Sequence, residues 1–158
     1  MNADGFKFPA TQVPSADANT LDDYEEGTWT PEIHFSTTDG NLSVAYATQG
    51  GNYVKIGSLV HVCFMINTST FTHSTASGNM RITGLPFTGD GYHTAGNVDH
   101  GGITVTNVST LCPYVVGGQT YIQIYGGAEA GGARFPLNIA NTTSGTQVYL
   151  VGSVIYTV

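Results

Sequence analysis

From residue 28 to the end of the chain, apolar residues fall in short alternating or continuous runs, and nowhere at the i, i+3, i+4 spacing of an amphipathic helix. The clearest run covers residues 54–66. One set of alternate positions holds Val60, Val62, Phe64 and Ile66, and the other holds Leu59, His61, Cys63 and Met65. A strand that is apolar on both faces is expected to be covered on both. In an antiparallel sandwich the opposite sheet covers one face, and a subunit interface would serve for the other. Residues 79–83 form a shorter candidate strand, stopped by Gly84 and Pro86. Further strands are predicted over 102–108, 114–116, 120–125, 135–140 and 147–158. Turns are expected at Gly117-Gly118, Gly126-Gly127, Gly131-Gly132 and Thr143-Ser144-Gly145. Strands at this spacing, with no helical segment between them, predict an all-β fold, an antiparallel β-sandwich or jelly roll. The last run reaches Val158, which is expected to tie the end of the chain into a sheet.

Residues 1–27 show neither periodicity. Pro9 and Pro14 favour extended backbone around them. The chain therefore divides into an extended neck, 1–27, and a β-sandwich knob, 28–158. The neck cannot fold on itself, so order there requires packing against the knob or neighbouring chains, for which Phe6, Phe8, Val13 and Leu21 are available. Asp17, Asp22, Asp23, Glu25 and Glu26 crowd its end, directly before Gly27, the single tryptophan Trp29 and Pro31. A charge run of this kind is ordinarily solvated. Trp29, a large apolar ring just past a glycine, is expected to be buried where the neck enters the knob.

Composition narrows the class. Charged residues are 9% of the 158, against about 25% in ordinary soluble proteins, while 21 glycines and many hydroxyl and amide residues take their place. Edge strands short of Lys and Glu invite pairing, and oligomerisation is a natural way to cover them. The net charge of −7 is concentrated before residue 33; beyond it, Asp39, Asp90, Asp99 and Glu129 nearly balance Lys55, Arg81 and Arg134. Phosphate binding needs clustered cations, so neither nucleic acid nor an anionic membrane surface is expected as a partner. No stretch approaches the ~20 apolar residues of a membrane-spanning helix, and the N-terminus lacks the basic start of a signal peptide. Two cysteines are too few for a disulfide scaffold. Cys63 reads as a buried thiol within its strand, and whether it pairs with Cys112 is left open by the sequence.

The sequence carries no recognisable catalytic motif. There is no phosphate-cradling glycine loop and no Gly-x-Ser-x-Gly elbow. The knob carboxylates Asp39, Asp90, Asp99 and Glu129 sit in turn-like contexts, where such groups usually satisfy backbone donors. No enzymatic activity, cofactor or metal is expected. His61 reads as a core or interface histidine rather than a ligand. The segment 88–102 combines Gly, Asp, Asn, Tyr and His, the types that hold sugars by ring stacking and hydrogen bonds. It is equally the composition of a plain connecting loop. Within it, Tyr92, His93, Asp99 and His100 are the candidate ligand-binding residues, with the loop 126–134 as a second candidate.

Three stretches carry a resemblance. Leu21-Asp22-Asp23-Tyr24-Glu25-Glu26-Gly27-Thr28-Trp29-Thr30-Pro31 resembles the junction that leads into the C-terminal β-domain of bacteriophage tail-fibre and tailspike proteins. Gly51-Asn52-Tyr53-Val54-Lys55-Ile56-Gly57-Ser58-Leu59-Val60 is similar to the strand–turn–strand unit that follows it there. Ile82-Thr83-Gly84-Leu85-Pro86-Phe87 resembles a later strand end and turn. With Phe8-Pro9-Ala10-Thr11-Gln12 upstream, the resemblance spans roughly the first 90 residues in order. It implies a homotrimeric knob, similar to the C1q and tumour-necrosis-factor jelly rolls, at the C-terminal end of a longer virion protein. The knob would bind host cell-surface carbohydrate without catalysis. Two other roles fit the same family: a structural trimerisation cap or virion decoration domain, and an accessory domain of a capsule depolymerase.

Overall fold

The computed structural model describes residues 7–9, 11, 15–17, 20–21, 23–104, 108–128 and 133–158. The fold is all-β, with two antiparallel sheets packed face to face. Sheet one runs in the order β1 (Tyr24–Trp29), β3 (Ser43–Ile56), β4 (Leu59–Thr72), β11 (Tyr149–Thr157), β7 (Asn97–Gly101). Sheet two runs β2 (Glu32–Phe35), β5 (Met80–Thr83), β9 (Tyr121–Ala128), β8 (Val108–Val115), β6 (Thr94–Ala95), and β10 (Phe135–Pro136) pairs with the later part of β9.

The two-residue side-chain period of a strand decides what lies between the sheets. On β4, Val60, Val62, Phe64 and Ile66 turn inward and are at most 3% exposed. Leu150, Val154 and Tyr156 of β11 continue this layer, and Ile33, Met80, Ile82, Ile122 and Ile124 face it from sheet two. Each such side chain contributes at most about 1.5–3 kcal/mol relative to an exposed one. The Tyr156 hydroxyl donates to the Phe87 carbonyl, and burial pushes its pKa up to about 12.

Several expectations are corrected. The run 54–66 is two strands, because Gly57 (φ 58°) and Ser58 turn the chain between Ile56 and Leu59. Apolar residues stand on both sides of that tip, so only the glycine marks it. The outer positions of the run are not covered within one chain. Cys63 and His61 lie exposed, with Sγ and Nε2 3.7 Å apart, and Leu59 is 46% exposed. Both cysteines are free. Register places Cys63 on the outer face of sheet one and Cys112 on that of sheet two, so the sandwich separates them.

The acidic run is not merely solvated. The first strand begins at Tyr24, ahead of residue 28, and Glu25 and Glu26 pair with Lys55 and Val54 along β3. Asp23, Glu25 and Glu26 each find a donor. The Tyr53 hydroxyl donates to Glu25, the Tyr24 hydroxyl to Glu26, and Lys55 forms a buried ion pair with Asp23. Of the neck residues, Phe8 packs on Tyr24 with ring centroids 5.6 Å apart, while Leu21 stays exposed; Phe6 and Val13 lie outside the described residues.

Of the expected strand over 102–108, residues 102–104 hold only an isolated bridge from Ile103 to Thr142, β8 begins at Val108, and residues 105–107 lie outside the described ones. The expected strand 135–140 is β10 followed by a 3-10 turn, Ile139–Asn141, which Asn138 caps through its side chain. The predicted turn at Gly131-Gly132 also lies outside the described residues, as does Glu129.

Candidate functional site

Sheet two has a polar outer face built on tyrosines. Ile122 and Ile124 of β9 point into the core, so Tyr121, Gln123 and Tyr125 point out; on β8 the same alternation turns Tyr114 outward. Register sets Tyr114 and Arg81 on either side of Gln123 in one rung. The Arg81 guanidinium lies 4.1 Å from the Tyr121 ring centroid, and that of Arg134 lies 4.8 Å from both the Tyr114 and Tyr125 centroids. Tyr114 and Tyr125 are themselves in contact, 4.9 Å between centroids, and the Tyr125 hydroxyl donates to Gln123 Oε1. Two ring-and-cation clusters, Arg81 with Tyr121 and Arg134 with Tyr114 and Tyr125, therefore make up a platform with Gln123 between them.

The four residues singled out in the sequence are brought to two separate places. His93 joins the platform: its ring stacks on Tyr114 at 5.2 Å, and its Nδ1 accepts the Gly117 N–H, which leaves the proton of the neutral ring on Nε2. Tyr92, next to it, is 78% exposed. Asp90 fixes this turn by accepting from the Thr157 hydroxyl and the Tyr92 N–H, and these bonds hold its carboxyl below the usual range.

Asp99 and His100 are on the other sheet. The segment expected to be a single loop holds β6 in sheet two and β7 in sheet one, and the chain crosses between sheets at Gly96. A side chain at Gly96 would run into the Ser153 carbonyl, so the crossing requires glycine. Asp99 faces outward on β7, and its carboxylate accepts the His100 N–H. The His100 Nδ1 is enclosed and has no hydrogen-bond partner among the described residues.

Asp99 lines a trough of about 1300 Å³ that reaches residues of all five strands of sheet one. Gly50 leaves open space beside it, and Thr28, Asn52, Asn97 and Ser153 give it a hydroxyl and amide lining. Beyond the trough, the same sheet ends in apolar residues: Tyr24, Ile56, Leu59, Ile155 and Val158 are 37–51% exposed. Register sets Tyr24, Ile56 and Leu59 side by side.

A third polar cluster lies at the β2 edge. The His34 ring bonds Asp39 through Nδ1 (2.7 Å) and Glu32 through Nε2 (3.4 Å), and Asp39 also accepts the Phe35 N–H. Burial disfavours the imidazolium, but the two carboxylates outweigh it, so His34 protonates above its ordinary range. Burial likewise opposes ionisation of Asp39, and the bonds from His34 and Phe35 reverse this, so its pKa is lowered. A raised histidine contributes stability below about pH 6.5 that is lost as pH rises through its folded value. A lowered aspartate contributes stability above about pH 3.9 that is lost as pH falls through its folded value. The pair therefore stabilises most between roughly pH 4 and 6.5. The melting temperature of the parent is expected to exceed that of His34→Gln by the largest margin there, with the margin shrinking toward pH 8. A margin constant from pH 5 to 8 would contradict this.

The platform residues Arg81, Tyr114, Tyr121, Tyr125 and Arg134 were not singled out from the sequence. The signal was present in Tyr121-Ile122-Gln123-Ile124-Tyr125, whose strict alternation puts two tyrosines and a glutamine on the face turned away from the core. No family model, curated protein or solved structure matches this chain.

Proposed function

We propose that this chain is the C-terminal receptor-binding and trimerisation domain of a phage tail fibre or tailspike, a homotrimeric jelly-roll knob of the virion that contacts host surface glycan without catalysis. The observation that supports it most is that the three stretches resembling that family are one packed unit. Asp23 of the first pairs with Lys55 of the second, whose ammonium lies 5.7 Å from the Phe87 ring of the third. Tyr53 stands edge-on to Phe87 at 5.3 Å and fills the space left open at Gly27. Stretches that resemble a family in order and also converge in space behave as one structural motif rather than as three coincidences.

The two outer faces suit the two tasks. The apolar end of sheet one offers the surface a second copy would cover, since contiguous exposed apolar residues mark contact sites. The tyrosine platform of sheet two offers rings for the apolar faces of sugars, with Tyr92 and His93 at its margin. Of the knob carboxylates, Asp39 and Asp90 are engaged by hydrogen bonds within the fold. The structural-cap reading draws on the apolar end of sheet one alone.

Sedimentation equilibrium is expected to give about three times the 16.6 kDa chain mass. Fluorescently labelled knob should decorate host cells, and Tyr114→Ala should lower that binding several-fold while leaving the trimer intact, since a ring face is a major part of such a contact. A trimer that binds no cells would favour the cap; a monodisperse monomer would remove the reading of sheet one.

A further inference from the structure

We infer that the glycan bound on sheet two is acidic, a polysaccharide bearing a carboxylate on its sugar units. This rests on the receptor-binding reading above and adds the charge of the ligand. Within the knob the cations are Lys55, Arg81 and Arg134. Lys55 is buried against Asp23, which leaves the two arginines as the cations available to a partner. Both are on the outer face of sheet two, and neither forms an ion pair among the described residues. In a chain with 11 acidic residues and 4 basic ones, unpaired arginines are not explained by scarcity of carboxylates.

Their setting points to recognition. Each guanidinium lies against tyrosine, Arg81 on Tyr121 and Arg134 on Tyr114 and Tyr125, and neither is taken up by a carboxylate among the described residues. The Arg81 Nε is enclosed without a partner. His34, opposite Arg81 in register, engages the carboxylates of Glu32 and Asp39. A planar guanidinium edge matches a carboxylate in a two-bond fork, and the rings beside it match the apolar face of the same sugar.

Placement decides between anions. Arg81 lies over Tyr121 whereas Arg134 lies over Tyr114 and Tyr125, so the two guanidiniums are held on different rings rather than on a shared one. Isolated cations suit one unit charge each along a chain of sugars. A phosphate polymer calls for several donors converging on one group.

The test is binding of the intact protein to three oligosaccharide sets: uronate-bearing, neutral, and glycerol-phosphate polymer, at 50 and 300 mM salt. Binding is expected to the uronate set alone and to weaken with salt. Arg81→Gln and Arg134→Gln should each lower affinity about tenfold or more, the effect of losing a charged hydrogen bond. Melting and sedimentation of both variants are the controls; Arg134, on an exposed segment, provides the test if Arg81→Gln fails to fold. Binding confined to neutral or phosphate chains, or uronate binding unchanged in Arg134→Gln, would overturn the acidic-glycan assignment and leave the receptor reading standing. Loss of the trimer in Arg134→Gln would also overturn it, because the arginine would then serve a neighbouring copy. Failure to bind any glycan or host cell would overturn both readings together.

Discussion

Trp29→Ala is expected to lower stability by about 3–5 kcal/mol, the range for truncating a large aromatic side chain in a core. Trp29 closes β1 at 7% exposure, its indole N–H donates to the Cys63 carbonyl at 3.1 Å, and its ring stands edge-on to Phe64 at 6.3 Å. The partner opposite it on β3 is Gly51, where any side chain would overlap the indole. The tryptophan thus occupies a slot that the glycine creates. Truncation would leave a cavity and a carbonyl without its donor, and Gly51→Val should destabilise by displacing the same ring. Urea denaturation at one fixed protein concentration measures both, since association would otherwise shift the midpoint. A loss below about 1 kcal/mol for Trp29→Ala would mean that the site collapses freely, against the packing described.

The layered β architecture was legible because burial in a sandwich imposes a two-residue period, and residues 59–66 and 147–158 carry it openly. The fate of the second apolar face was not. Leu59, His61, Cys63 and Met65 suit an inner face as well as an outer one, and alternation cannot say which set meets the opposite sheet. Strands β6 and β7 were hidden for a different reason. Asn97, Asp99 and His100 have little intrinsic preference for strands, and they pair because β11 presents an open edge beside them. The residue that splits this segment between sheets is Gly96, and its need for close backbone approach is a tertiary fact that no local pattern records. Of the tyrosine platform, composition had drawn attention to His93, which stacks on Tyr114. Tyr121 and Tyr125 were within reach of the alternation rule, whereas Arg134 joins through a loop contact with no period to announce it.

The two outer faces also differ in how the sequence protects them. β1, at an edge of sheet one, carries Glu25 and Glu26, charges of the kind that discourage further strand pairing. The edge is thereby closed to unselected partners, while the flat apolar end beside it, from Tyr24 to Leu59, is left open. In the proposed trimer, association would use that face rather than an edge, the arrangement a closed oligomer needs and an open fibril does not.

The ion pair at that junction carries the second large effect. Asp23→Ala is expected to destabilise by about 3–5 kcal/mol, because it strands the Lys55 ammonium in a nearly dry site. Both side chains are only 10% exposed, and the Asp23 carbonyl in addition accepts the N–H of Gly57 at the tip of the β3–β4 hairpin. The pair therefore pins the entry of β1 to the hairpin, with Phe87 closing over the ammonium. The attraction itself is not expected to account for the whole loss. Replacing both partners, Asp23→Leu with Lys55→Met, removes two desolvation penalties along with the bond and should return stability to within about 1 kcal/mol of the parent. Urea midpoints of the two single variants and the double variant at one protein concentration decide the matter. If the double variant is as unstable as Asp23→Ala, the polar pairing itself holds the neck to the knob. If it recovers, the cost lies in the unpaired charge, and the junction is held by Trp29, Tyr53 and Phe87.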